Sequence, residues 1–204
     1  FMKIIRADLH MHGPIGFQPY WLKAQGYAGK NLLQLIAEDA FRKDISISAL
    51  TCQQDEIPRN TAYENRLGIL LEHEAPLLPR EYRVSTLGGN NDVVVVQKGD
   101  KILYLVNGQT VMPKEDGKKY DLLVVGSNGV PNSMTFADTL SFCEDKRLIA
   151  IAEHPYVETH RGMGRDLLER HIRRFDAIEG HNSQAIFSAW MAKIPMAGKI
   201  FSRA

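Results

Sequence analysis

The sequence predicts an α/β fold in which short parallel strands alternate with helices, arranged as an incomplete barrel and interrupted by an antiparallel hairpin insert around residues 92–112. Three observations predict it. Short apolar runs alternate with helix-periodic segments in both the first and last parts of the chain, the pattern of a parallel sheet with helices outside. Between them the β-rich runs DVVVVQ, KILYLV and QTVM follow one another across turn dipeptides, as in an antiparallel meander. Polar side chains of metal-ligand type, finally, collect where several of the strands end.

Each element has its own signal. MKIIRADLH reads as the first strand and is followed by a Gly/Pro-rich loop. In KNLLQLIAEDAFRK, Leu32, Leu33, Ile36, Ala37, Ala40 and Phe41 recur at three and four, which predicts an amphipathic helix with Asn31 as its cap. DISISALT is a second strand, and TAYENRLGILLEHEA a second helix with Leu67, Leu70 and Leu71 on one side. In the insert, Lys98-Gly99-Asp100 and Asn107-Gly108 are expected to turn the chain, since Asn-Gly between apolar runs is the strongest short hairpin signal. The strand–helix rhythm then resumes with YDLLVVG, a helix through Phe136, Leu140 and Cys143, the strand RLIAIAEH, the helix GRDLLERHIRRF, the strand DAIEGH and a helix starting near Ser183. Repeats and low-complexity tracts are absent, so residues 1–204 are expected to form a single domain. WMAKIPMAGKIFSRA stops in a helical pattern with no closing strand, which predicts that the chain continues past Ala204 and that its last strand lies beyond.

Composition narrows the class. A chain of 204 residues is long enough for a substantial core, and 44% hydrophobic with 24% charged residues is ordinary for a soluble globular protein. A formal net charge of +1 gives no indication of a dedicated nucleic-acid surface, although local patches remain compatible with one. No apolar run approaches the ~18 residues of a membrane helix, and the N-terminal stretch lacks the apolar centre of a signal peptide. The two cysteines, Cys52 and Cys143, make no disulfide framework, so a reducing, cytoplasmic setting is expected. Cys143 continues the helical spacing of Phe136 and Leu140 and is read as packing.

Chemistry gathers at the strand ends. In RADLHMHG, Asp8, His10 and His12 lie at alternate positions, so in an extended strand they project from one face while Ala7, Leu9 and Met11 face the other. Active sites of parallel barrels sit at the C-terminal ends of the strands. His154 ends LIAIAEH, where only Glu153 and His154 break an apolar run before Pro155. In DAIEGHN, Ala177, Glu179 and His181 share a face, and Cys52 ends the second strand. Imidazole and carboxylate are the usual ligands of zinc, manganese and iron. A metal held by His10, His12 and His154 would bind a phosphoryl oxygen and acidify a water. Asp8 suits the task of orienting an imidazole, while Glu179 and His181 are balanced between site wall and structural hydrogen bonding. In HRGMGRDLLER, Arg161, two glycines and Arg165 precede a helix; either the glycines simply make the turn and the arginines are solvated, or the helix start binds an anion such as phosphate. His73 and His171 read as surface or packing residues, and His160 as a loop histidine.

ADLHMH at the first strand end, with IAEHP and AIEGHN later, resembles the PHP (polymerase and histidinol phosphatase) family. NLLQLIAEDAFRKDISISALT also sits where that family places its first helix and second strand. The resemblance implies a distorted (β/α)7 barrel, TIM-barrel-like, holding two or three divalent ions and hydrolysing phosphate esters or serving as an exonuclease or proofreading domain. On it, His10, His12 and His154 are metal ligands. Departures accompany the match: where the family's second strand ends Thr-Asp-His, this chain has Thr51-Cys52-Gln53. Cys52 as a thiolate suits zinc, and Asp55 or Glu56 just beyond would compensate. YRVSTLGGNND offers no bridging glutamate, and the late Asp-x-His motif is absent.

The expected activity is therefore that of a metal-dependent phosphoesterase using Zn, Mn or Fe on a small phosphate ester or nucleotide. The first competitor is a barrel that has lost catalysis and binds a nucleotide or a partner. The second is an amidohydrolase-type metal hydrolase, which also uses His-x-His on its first strand, though its late aspartate and bridging lysine have no counterpart here. The insert's VVVVQ and KILYLV present an edge able to pair between subunits, and the oligomeric state is left open.

Overall fold

The computed structural model describes residues 5–11, 31–51, 66–88, 92–127, 129–131, 134–157 and 161–180. It is a mixed α/β fold, and its internal packing divides the chain into two compact units, residues 1–110 with 125–130 and residues 111–124 with 131–204.

In the first unit β1 (Ala7–Met11) pairs in parallel with β2 (Ile47–Leu50), and β2 with β5 (Lys101–Val111). Helix α1 (Leu32–Arg42) covers them. Asn31 caps it as expected, its side chain accepting the Gln34 N–H at 2.8 Å. Leu33, Ile36, Ala37 and Ala40 pack with Leu50, Val94, Val96, Leu103 and Leu105. Each fully buried leucine there contributes roughly 1.5–3 kcal/mol. The second helical segment is broken into types: α2 (Arg66–Ile69), a π turn over Leu70–Glu74 and a 3-10 turn over Ala75–Leu77. Pro76 lacks the N–H that a continuing α-helix needs. Leu67 and Leu70 join the core and Leu71 packs against it, as the spacing predicts.

Two expectations are corrected here. Asn107-Gly108 does not turn the chain; both residues lie inside β5. Pairing overrides turn propensity, because Asn107 is in register with Leu50 of β2, donates its N–H to Asp92 O at 3.3 Å and accepts the Gly126 N–H at 2.8 Å. The antiparallel part is instead three-stranded: β3 (Tyr82–Leu87) pairs with β4 (Val93–Lys98), which pairs with Lys101–Val106 of β5 across the Gly99-Asp100 turn. In β1, Asp8 faces Ser48 and Met11 faces Leu50, so three steps oppose two. The regular strand expected through Asp8 and His10 does not anticipate this irregularity, and His12 lies outside the described residues.

The second unit opens with the short hairpin β6 (Lys114–Glu115) and β7 (Lys118–Lys119) around Asp116-Gly117, both at positive φ. Then come β8 (Leu122–Val125), α3 (Phe136–Lys146), β9 (Ile149–Ala152), α4 (Gly164–His171), a 3-10 turn over Ile172–Arg174 and β10 (Ala177–Ile178), which is parallel to β9. Thr135 caps α3 by accepting the Asp138 N–H, and Arg147 closes it in the left-handed region. Phe136, Leu140, Cys143, Leu167 and Leu168 are buried. The ring of Phe136 meets His171 at 5.3 Å and Phe175 at 6.2 Å. The helix expected near Ser183 lies outside the described residues. Among the described residues, no helix is long and apolar enough to cross a membrane.

Candidate metal centre

Strand β9 is buried along Ala150, Ile151 and Ala152, and it delivers Glu153 and His154 into the interior of the second unit. Asp121 comes from the residue before β8, where its N–H donates to Arg161 O at 3.1 Å. Glu153 is 1% exposed, Asp121 2% and His154 7%. Three ionisable groups removed from water this completely need close partners. They supply them to one another. His154 Nε2 is 3.1 Å from Glu153 Oε1 and 3.8 Å from Asp121 Oδ2. One ligand atom from each of the three lies within 4.8 Å of the other two. On the other oxygen of Asp121, Arg161 Nη1 approaches to 3.4 Å and also meets Met112 Sδ. Glu179 Oε2 accepts the His154 backbone N–H at 2.7 Å.

The described residues that follow β9 are tightly bent. His154 has φ 25° and Arg161 φ 58°, left-handed values that are uncommon for residues with a Cβ. Backbone bonds close the bend: Val157 N to His154 O, Gly162 N to Val157 O and Gly164 N to Pro155 O. A Cβ on Gly162 would fall 2.6 Å from His154 O, 2.8 Å from Val157 N and 2.9 Å from Pro155 O, so only glycine fits.

Burial works against a charged His154 ring. The hydrogen bond to Glu153 and the carboxylates of Glu153, Asp121 and Glu179 outweigh it and hold the pKa above the ordinary imidazole value. Three carboxylates against one guanidinium and one imidazole leave the cluster with negative charge to neutralise. Its donor set, one nitrogen and two carboxylates, is of the kind that zinc, manganese and iron accept. Ligands at about 2.0–2.2 Å from one ion sit roughly 3–3.5 Å from each other, comparable to the Glu153–His154 separation. The buried Asp121, Glu153 and His154 could therefore hold a metal ion.

Of the residues the sequence singles out, His154, Glu179 and Arg161 come together here. Arg165 does not join them: it lies on the exposed side of α4, paired with Glu169 at 2.7 Å. The amides of Gly162 and Gly164 donate to Val157 O and Pro155 O. Asp8 and His10 belong to the first unit, where Asp8 Oδ1 accepts the His10 N–H at 3.2 Å. His12, Cys52, Gln53, Asp55, Glu56, His160 and His181 lie outside the described residues. His73 is exposed and Cys143 buried, as expected. Sequence reasoning missed Asp121 and Glu153 as ligands. Glu153 has a signal, a carboxylate inside an apolar run; Asp121 has almost none, since an aspartate before a strand is a common polar boundary. Asp121 also stands at the start of β8, away from the strand C-termini where ligands are expected. Comparison with family models, with curated proteins and with solved structures gives no match for this chain.

Proposed function

We propose that the chain is a metal-dependent phosphoesterase of PHP type, closed as a (β/α)7-like barrel, that cleaves a small phosphate ester or nucleotide at a centre containing Asp121, Glu153 and His154. The observation that carries the reading is the buried triad with its ligand atoms within 4.8 Å. A bound Zn, Mn or Fe ion would supply Lewis acidity toward a phosphoryl oxygen and acidify a water. The chain's own residues do the rest. Asp121, Glu153 and His154 hold the ion. Arg161, which reaches from the buried Asp121 toward solvent, meets the charge that develops on the phosphoryl group. His10 and His12 enter as ligands through the PHP resemblance alone, and their part is tested by mutation.

Metal analysis of the purified protein, beside His154→Ala and a His10→Ala/His12→Ala double variant, tests this, together with hydrolysis of p-nitrophenyl phosphate in Mn²⁺. The expected result is stoichiometric metal in the wild type and a loss of affinity beyond about 100-fold in His154→Ala, since removing a ligand exceeds the effect of removing its outer partner. A wild type that takes up neither Mn²⁺ nor Zn²⁺ overturns the reading. One observation favours a second reading. Arg161 Nη1, 3.4 Å from Asp121 Oδ1, offsets part of the buried negative charge without any ion. On that basis the triad is a structural ion-pair network in a binding module that lacks catalysis, and a metal-free but fully stable protein is its signature.

A further inference from the structure

We infer that Glu179 is a positioning residue for this centre, holding the backbone of His154 so that the imidazole meets Glu153 and Asp121, without being a ligand itself; the inference rests on the metal-centre reading above. The parallel ladder brings it there. Ala177 pairs with Ile151 and Ile178 with Ala152, and the Glu179 N–H extends the ladder by donating to Ala152 O at 2.9 Å. The next amide on β9's side is that of His154, two residues on from Ala152. At φ 25° His154 has left the extended conformation, so its N–H no longer points along a strand ladder. Glu179 Oε2 takes that N–H at 2.7 Å, a short, charge-assisted bond. A buried backbone donor must find an acceptor, and a left-handed residue with a Cβ persists only where its surroundings over-determine it.

The other side of the same peptide is pinned too. His154 O accepts the Val157 N–H at 2.9 Å and sits against Gly162, where not even a methyl group fits. With both its N–H and its carbonyl fixed, the Cα–Cβ direction of His154 is set, and Nε2 lands 3.1 Å from Glu153 Oε1. Glu179 does not share the ligand geometry: the atoms mutually within 4.8 Å are those of Asp121, Glu153 and His154.

The test uses Glu179→Gln, which keeps the acceptor oxygen but not the charge, and Glu179→Ala, which removes both. Two readouts are taken: the NMR position of the His154 amide proton in metal-free protein, and Co²⁺ affinity from visible absorption. The expected result is a His154 amide proton far downfield in the wild type, moved upfield in Glu179→Gln and further in Glu179→Ala. Co²⁺ affinity is expected to fall by about 10–100-fold in Glu179→Ala, with Glu179→Gln recovering most of the loss. If the alanine variant does not fold, the amide shift in Glu179→Gln decides the anchor by itself. An unmoved amide proton in Glu179→Gln overturns the anchor. A moved proton with equal Co²⁺ affinity in folded variants overturns the positioning role. A wild type that binds no Co²⁺ overturns the metal reading instead, and the amide shift then assigns Glu179 to the structure of the loop alone.

Discussion

Cys143 and His154 are buried in the same unit, and negative neighbours push both toward their protonated forms. For Cys143, burial on the inner face of α3, followed by the carboxylates of Asp176 and Glu144, pushes the thiol from 9.0 up to about 11. For His154 burial acts the other way, and the surrounding carboxylates overcome it. The Cys143 case yields a pH prediction. The unfolded thiol ionises near 9 while the folded one resists to about 11. Its contribution to stability is therefore complete below pH 9 and is lost as pH rises through about 11. Urea unfolding of wild type and Cys143→Ala should show this: the alanine variant is less stable at pH 7, and the gap between the two narrows from pH 9 upward. A gap that stays constant to pH 11 rejects the shifted thiol. In the native state at pH 7, Cys143 should also be inert to thiol reagents until the chain unfolds. At this scale the sequence was a partial guide. Helical spacing exposed Cys143 as core and a strand end exposed His154. Asp121 stayed hidden, because it reaches the site through a backbone bond to Arg161 that links residues far apart in the chain.

Elements were more legible than residues, and the failures have physical causes. The caps of α1 and α3, the core stripe of Leu33, Ile36, Ala37 and Ala40, and the strands β2, β8 and β9 all follow from periodicity and capping. What periodicity could not anticipate was pairing. Asn107-Gly108 carries turn chemistry, yet partners on both flanks keep it extended. The cost remains visible: Asn107 is 5% exposed and its Oδ1 has no hydrogen-bond partner among the described residues. An orphaned buried acceptor costs roughly 1–3 kcal/mol, and valine is the better strand residue. Asn107→Val is therefore expected to stabilise the protein by about 1 kcal/mol, read as a higher urea midpoint with an unchanged slope. Loss of stability in that variant would mean that the amide has a task in the fold which the backbone pairing does not reveal. The register irregularity between Asp8 and Met11 of β1 likewise arises in the pairing with β2, which the local pattern does not anticipate.

For the whole molecule, the division into two units makes the metal reading testable by location. The triad, Arg161 and Glu179 all belong to the unit formed by residues 111–124 and 131–204, while α1, β3 and β4 belong to the other. A ligand that binds only the folded site stabilises it by about 2.7 kcal/mol when present at 100 times its Kd, equal to a slowing of roughly 100-fold in any opening that dismantles the site. Hydrogen exchange with and without Mn²⁺ or Zn²⁺ should then show the gain at β9, at Gly162 and at Glu179, whose amide bonds to Ala152 O. The amides of α1 and β4 should exchange at unchanged rates, since nothing in their unit contains the triad. Protection gained at Ala7–Met11 as well would give His10 the ligand role that the PHP resemblance implies. Uniform protection over both units, or none in the second, would remove Asp121, Glu153 and His154 as the binding centre and leave them as a network that holds the β9 loop in its bent conformation.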